Sequence, residues 1–181
     1  KSSAASDVYK RQRGDKILRK WDKDIAQGLT QSMKKRSITI HTKCKKEELE
    51  SVEDELVISA LGRIPVVDSI DSALYQIGPS GGIIVDEVGF TGIENVYAIG
   101  DVVEESPMLA HTAMEQGKRV VDYIANGIKR EKATVINCIY TSPEVASVGM
   151  TELEAKEKGI LAVVGKQTMY SNARTMIATK E

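Results

Sequence analysis

Cysteine is scarce in this 181-residue chain, with Cys44 and Cys138 as the only two, far apart in sequence. A thiol redox pair needs close spacing and an activated thiolate, so both read as spectators. Unpaired cysteines favour a reducing compartment, which here gives a cytoplasmic expectation. There is no excess of basic residues: the net charge is −1, which argues against a nucleic-acid partner. No apolar run approaches the ~18 residues of a membrane span, so no membrane partner is expected. The chain has no internal repeat, no signal-peptide pattern and no GxGxxG, and therefore no glycine loop of the kind that cradles a pyrophosphate. No metal site is expected. What is present, 41% hydrophobic residues over this length, suits a globular fold.

The most informative stretch is Tyr97-Ala98-Ile99-Gly100-Asp101, followed by Pro107-Met108-Leu109-Ala110-His111. Asn95 to Ile99 reads as a short buried parallel strand ending at a glycine. Ligands of open α/β sheets sit beyond the carboxyl ends of strands, which is where Asp101 falls. Ser106 suits a helix N-cap and Pro107 the first helical position. From there Leu109, Ala113, Gly117, Val120, Val121, Ile124 and Ile128 form one apolar stripe, and Asn126-Gly127 is a stop signal. The first turn of such a helix offers unpaired N–H groups and about half a positive charge. Met108, Leu109, Ala110 and His111 form that turn, which favours a ligand whose oxygen becomes more negative on reduction.

These residues resemble the flavin-binding return segment of the FAD-dependent pyridine nucleotide-disulfide oxidoreductases: AIGD, then PMLAH, then a helix with Glu115-Gln116-Gly117. Within that family, Met-Leu-Ala-His is similar to the dihydrolipoyl dehydrogenases. Leu56 to Pro65 resembles the strand and Gly-Arg-x-Pro turn that close the NAD-binding domain. Tyr140 to Gly149 resembles the opening of the dimer-interface domain.

The resemblance implies an α/β fold: partial FAD/NAD(P)-binding Rossmann-like domains followed by the start of an α+β dimer-interface domain. It divides the chain into residues 13–63 (C-terminal part of the NAD-binding domain), 64–132 (returning segment of the FAD-binding domain) and 133–181 (N-terminal part of the dimerisation domain). It also implies roles. Gly100 and Asp101 would hold FAD, with Asp101 bonding the ribityl hydroxyls, and the backbone of Met108 to His111 would meet the flavin's pyrimidine edge. Gly62, with Arg63, would contact NAD. Ser142 stands where many members have histidine and receives no role.

The implied reaction carries electrons from dihydrolipoyl groups through an enzyme disulfide and FAD to NAD. The partners implied are a dihydrolipoyl group on a 2-oxo acid dehydrogenase or glycine cleavage component, and a second copy of the full-length parent in a homodimer. The chain lacks the family's CxxxxC redox motif and its HPTxSE-type base motif, so no catalytic residue is assigned. The expectation is a slice of an NAD-dependent dihydrolipoyl dehydrogenase that does not turn over alone. The alternatives are an inert folded unit kept for binding or dimerisation, or a related FAD-dependent disulfide reductase.

Lys1 to Gln12 is polar, aperiodic and unlike the family, and reads as foreign or disordered. Beyond it, Asp22 suits the cap of a helix carrying Ile25, Leu29 and Met33, and Ser37 to Thr42 a strand. Lys43 to Glu55 reads as a surface hairpin region. Leu56 to Leu61, Ile83 to Val85, Thr134 to Tyr140 and a segment from Val163 read as strands. Thr151 with Glu154 forms a capping box closed by Gly159. His111 is better explained by a backbone or packing role than by catalysis, and His41 by an ordinary surface position. Lys34, Lys35 and Arg36 read as a solvated helix end.

Overall fold

A computed structural model describes residues 8–50, 56–68, 71–169 and 172–178. The chain divides into two compact units, one made of Lys1–Ser51 with Ile136–Glu181, the other of Val52–Val135.

In the first unit, strand β1 (Val8–Arg11) runs parallel to β2 (Ile38–His41), with Val8 opposite Ile38 and Arg11 opposite His41. Helix α1 (Lys23–Lys35) makes the crossover that parallel pairing requires. Residues 1–7 lie outside the described residues. The expectation that 1–12 stand apart from the fold is corrected for the remainder, because Val8 to Arg11 carry a ladder. Gln12 extends it, donating to His41 and accepting from Cys44 at 3.0 Å each. The strand is too short to show a period, and its parallel partner lies well along the sequence.

Helix α1 buries Ala26 and Leu29, while Ile25 is exposed and Met33 half-buried, so its inner face is turned about one residue from the expected stripe. Asp22 occupies the N-cap position without capping through its side chain. Its carboxylate accepts instead from the N–H of Glu152 at 3.1 Å, at the start of the helix Glu152–Glu157. Lys43 to Glu55 is no hairpin in its described part: Lys46–Glu50 forms a short helix, α2, preceded by a bond from the Lys45 N–H to the Glu48 carboxylate at 2.8 Å. Residues 51–55 lie outside the description.

The same unit contains the antiparallel pair β3 (Ile136–Ile139) and β4 (Val145–Val148), and helices α4 (Glu152–Glu157) and α5 (Ala173–Ala178). The capping box of α4 is complete, with both Thr151 and Glu154 bonds made, and Gly159 follows at φ +69°. No strand forms from Val163, which is almost wholly exposed.

The second unit is built on loops around a small core of Ile83, Ala98 and Val103, with Val67, Tyr75, Val85 and Val102 packed on it. Three expected strands are reduced here. Ile83 to Val85 and Asn95 to Ile99 contribute only isolated bridges, Ile77 with Ile83, Ile83 with Val103, and Phe90 with Tyr97. Leu56 to Leu61 forms no strand and is exposed. The physical reason is common to them: a strand exists through its neighbours, and these segments find no continuous ladder among the described residues.

Helix α3 (Ala110–Asn126) closes the unit. It ends at Gly127 in the left-handed region, with bonds from Gly127 to Tyr123 and from Ile128 to Asp122 that satisfy its last carbonyls. Its start differs from expectation. The N-cap is Leu109, no side chain caps it, and the Ser106 hydroxyl is buried without a partner in the structure. The expected stripe is only partly covered: Val120 is buried together with Thr112, whereas Val121, Ile124 and Ile128 face outward.

Candidate functional site

Gly100 sits where the loop after Ile99 turns into a 3-10 turn, Gly100–Val102. It is buried and has φ +74°, and an added Cβ would lie 3.2 Å from the Ala113 Cβ on α3. Glycine is therefore required twice, by backbone conformation and by the closeness of the helix. Its N–H donates to the Oε1 of Gln116 at 2.5 Å, which fixes the turn to the helix.

Asp101 follows on the same turn with its side chain 40% exposed. That exposure leaves the carboxylate reachable from solvent and thus from a ligand. Arg63 donates to Asp101 Oδ2 at 2.7 Å. The preceding Gly62, at φ +120°, is exposed, with open space where a Cβ would stand. The residue expected to meet NAD thus stands against the residue expected to meet FAD.

Val103 returns the chain to the core, and the loop to α3 contains two non-glycine residues at positive φ, Glu105 at 57° and Met108 at 54°. Such a conformation costs a non-glycine residue on the order of 1–3 kcal/mol and marks positions held by their surroundings. Met108 is the first residue of the turn expected to face a ligand. Leu109 is then extended, and Ala110 begins the helix. Because no side chain caps this N-terminus, its positive end is turned over to whatever lies in front of it. The predicted residues Gly100, Asp101 and Met108 to His111 are accordingly gathered along one turn and one helix start. His111 is exposed on the first turn of α3.

Beside this turn is a cleft lined by Val88, Gly89, Val103, Glu104, Ser106 and Arg119, among others. Arg119 donates to the Glu87 carbonyl, while its Nε and the Ser106 hydroxyl are buried without partners in the structure. Among the described residues, no group of histidine, cysteine or acidic side chains could hold a metal ion, and no helix is long and apolar enough to cross a membrane. Cys44 and Cys138 are free thiols.

Two residues with structural roles here received none from the sequence. Gln116 lies one helical turn from Thr112 and Val120 on either side, so a polar residue on the buried line of α3 was the available signal. Glu104 binds backbone amides of the turn at 80–82, and its spacing from them, with no periodic pattern between, carries no signal.

Residues 2–117 match the family described as Pyridine nucleotide-disulphide oxidoreductase, and residues 135–181 match the Pyridine nucleotide-disulphide oxidoreductase, dimerisation domain. A dihydrolipoyl dehydrogenase of Haloferax volcanii is 34% identical over 142 residues, covering 77% of this chain and 30% of the relative. A mitochondrial dihydrolipoyl dehydrogenase of Pisum sativum is 39% identical over 126 residues, covering 68% of this chain and 25% of the relative. Among solved structures, the HOCl-induced flavoprotein disulfide reductase RclA from Escherichia coli shares the fold with a TM-score of 0.79 at 21% identity, over 97% of this chain and 44% of that one. The chain thus spans less than half the length of each of these proteins.

Proposed function

Since the chain belongs to the pyridine nucleotide-disulphide oxidoreductase family, we propose that its Gly100 to His111 segment holds FAD in an enzyme that oxidises dihydrolipoyl groups with NAD. The observation that carries this reading is the placing of a solvent-reachable carboxylate, Asp101, on a tight glycine turn beside the uncapped start of α3.

The residues present fit the group. Asp101 would accept hydrogen bonds from ribityl hydroxyls, and a charged acceptor makes such bonds stronger than a neutral one. The backbone of Met108, Leu109, Ala110 and His111 would face the pyrimidine edge, where the helix's positive end favours negative charge. Bound there, FAD would supply two-electron chemistry between a thiol pair and a nicotinamide. Gly62 and Arg63 would meet NAD. The similarity to dihydrolipoyl dehydrogenases at 34% and 39% identity supports the lipoyl substrate over another disulfide. In this reading the parent protein is a homodimer that works in the cytoplasm on a lipoyl-bearing 2-oxo acid dehydrogenase or glycine cleavage component.

Cys44 and Cys138 do not form the CxxxxC pair that the reaction needs. The 181-residue chain is therefore expected to give no NADH from dihydrolipoamide and NAD. A longer polypeptide that adds the thiol pair and the His-Glu motif is expected to give it, and to prefer dihydrolipoamide over glutathione. Preference for glutathione would replace the lipoyl reading with a related disulfide reductase.

A further inference from the structure

The turn at Pro79 to Gly82 is fastened to the segment that carries Asp101 by a side chain outside the reading above. Glu104 accepts from the N–H of Ser80 at Oε1 and from the N–H of Gly82 at Oε2, both at 2.9 Å. Backbone bonds continue the seam: the Ile83 N–H donates to Val102 at 2.8 Å, and the Glu104 N–H to Ile83 at 2.9 Å. Ile83 and Val103, which flank these bonds, belong to the buried core.

The approach is close. A Cβ on Gly82 would stand 2.6 Å from the Glu104 nitrogen, and one on Gly78 would stand 2.3 Å from the Glu104 Cδ. The Glu104 backbone thus leaves no room for a side chain at Gly82, and the docked Glu104 side chain fills the space beside Gly78. The Ser80 N–H is the main cause that holds the Glu104 carboxyl below its usual range, with the Gly82 N–H adding to it against the opposing effect of burial.

Asp101 lies between Gly100 and Val102 on the 3-10 turn whose far end these bonds hold. We propose that Glu104 is a positioning residue for Asp101, fixing the turn through the amides of Ser80 and Gly82 so that the Asp101 carboxylate is held ready for the ribityl chain of FAD. The proposal rests on the flavin reading. The action of Glu104 is geometric, since both its oxygens are engaged by the turn.

The test is Glu104→Gln in the 181-residue chain, read by FAD titration and by amide hydrogen exchange at Ser80 and Gly82. Glutamine offers one acceptor oxygen and turns an NH2 toward the second donor. The variant is expected to bind FAD about five- to tenfold more weakly, less than the loss of a whole charge-assisted bond because Glu104 acts through the turn, and to exchange both amides faster. The pH dependence separates positioning from bulk. The contribution of a carboxyl lowered on folding is complete above its unfolded value and is lost as pH falls through the folded one. Wild-type protection at Ser80 and Gly82 should therefore drop in acid, with no corresponding step in Glu104→Gln. Asp86, Glu87, Glu105, Arg119 and Lys132 line the same cleft as Glu104, and Asp101 lies on the held turn. All of these are common to both chains and cancel in the comparison. Unchanged FAD affinity with faster exchange would overturn the proposal, leaving Glu104 a fastener of the turn alone. Unchanged exchange would overturn the clamp itself. If neither chain binds FAD, the flavin reading fails and positioning for FAD fails with it, while the exchange data still judge the clamp.

Discussion

Arg63 and Asp101 form an ion pair at 2.7 Å, joining the Gly-Arg turn to the Gly-Asp turn within one unit. The pair sets one cation against the acceptor that a ribityl hydroxyl would use. Binding of a flavin at Asp101 must then share or displace Arg63. Both side chains are well exposed, so the pair is worth no more than about 1 kcal/mol and weakens with salt. Arg63→Ala is expected to tighten FAD binding by about two- to fivefold at low ionic strength. The gain should vanish in concentrated salt. A titration in which the variant binds FAD more weakly would show that Arg63 assists the ligand rather than competing with it.

Gly100 carries the second prediction. Alanine there would have to adopt φ +74° and push its methyl toward Ala113. Strain of this kind costs on the order of 1–3 kcal/mol. Gly100→Ala should lower the urea midpoint of the unit accordingly, and Ala113→Gly should recover part of the loss by removing the contact. Equal stability of Gly100→Ala and wild type would contradict the close packing described.

Gln116 is expected to matter through the bond that it accepts. Truncation to alanine leaves the Gly100 N–H buried without its acceptor, a loss of about 1–3 kcal/mol. Gln116→Glu keeps an acceptor oxygen and should retain most of the stability. If alanine and glutamate behave alike in denaturant titrations, the bond is not what holds the turn.

The tight turn at Gly100 was legible because a glycine after an apolar run leaves a local mark, whereas the N-cap of α3 lies at Leu109, beyond the Ser106 and Pro107 that suit it in sequence. Gly127, Thr151 and Glu154 were legible for the same reason, since caps are made within a few residues of chain. Ser106 suits a cap by its local sequence, but its burial is set by chain distant from it. Gln116 and Glu104 stayed unassigned because each serves a backbone amide distant in sequence, 16 and 22 to 24 residues away. The strand at Leu56 to Leu61 failed for another reason: apolar content predicts that a segment will be buried, but not that its neighbours are at hand.

The exposed apolar segments lead to a prediction of their own. Leu56, Ile58, Leu61 and Ile64 stand in solvent within one short stretch. An exposed apolar stretch of this length invites association with another copy. Light scattering on the 181-residue chain should show mass rising with concentration, and Ile58→Lys should reduce the rise. A concentration-independent monomer would count against this.

Whether Asp101 holds the flavin is decided by FAD titration of the 181-residue chain and of Asp101→Ala, followed by quenching of flavin fluorescence. The wild-type chain should bind saturably and Asp101→Ala at least about tenfold more weakly, as expected when a charged acceptor is lost. Saturable binding that is unaffected by Asp101→Ala would contradict that role, because a flavin held without that carboxylate is not held at the turn described.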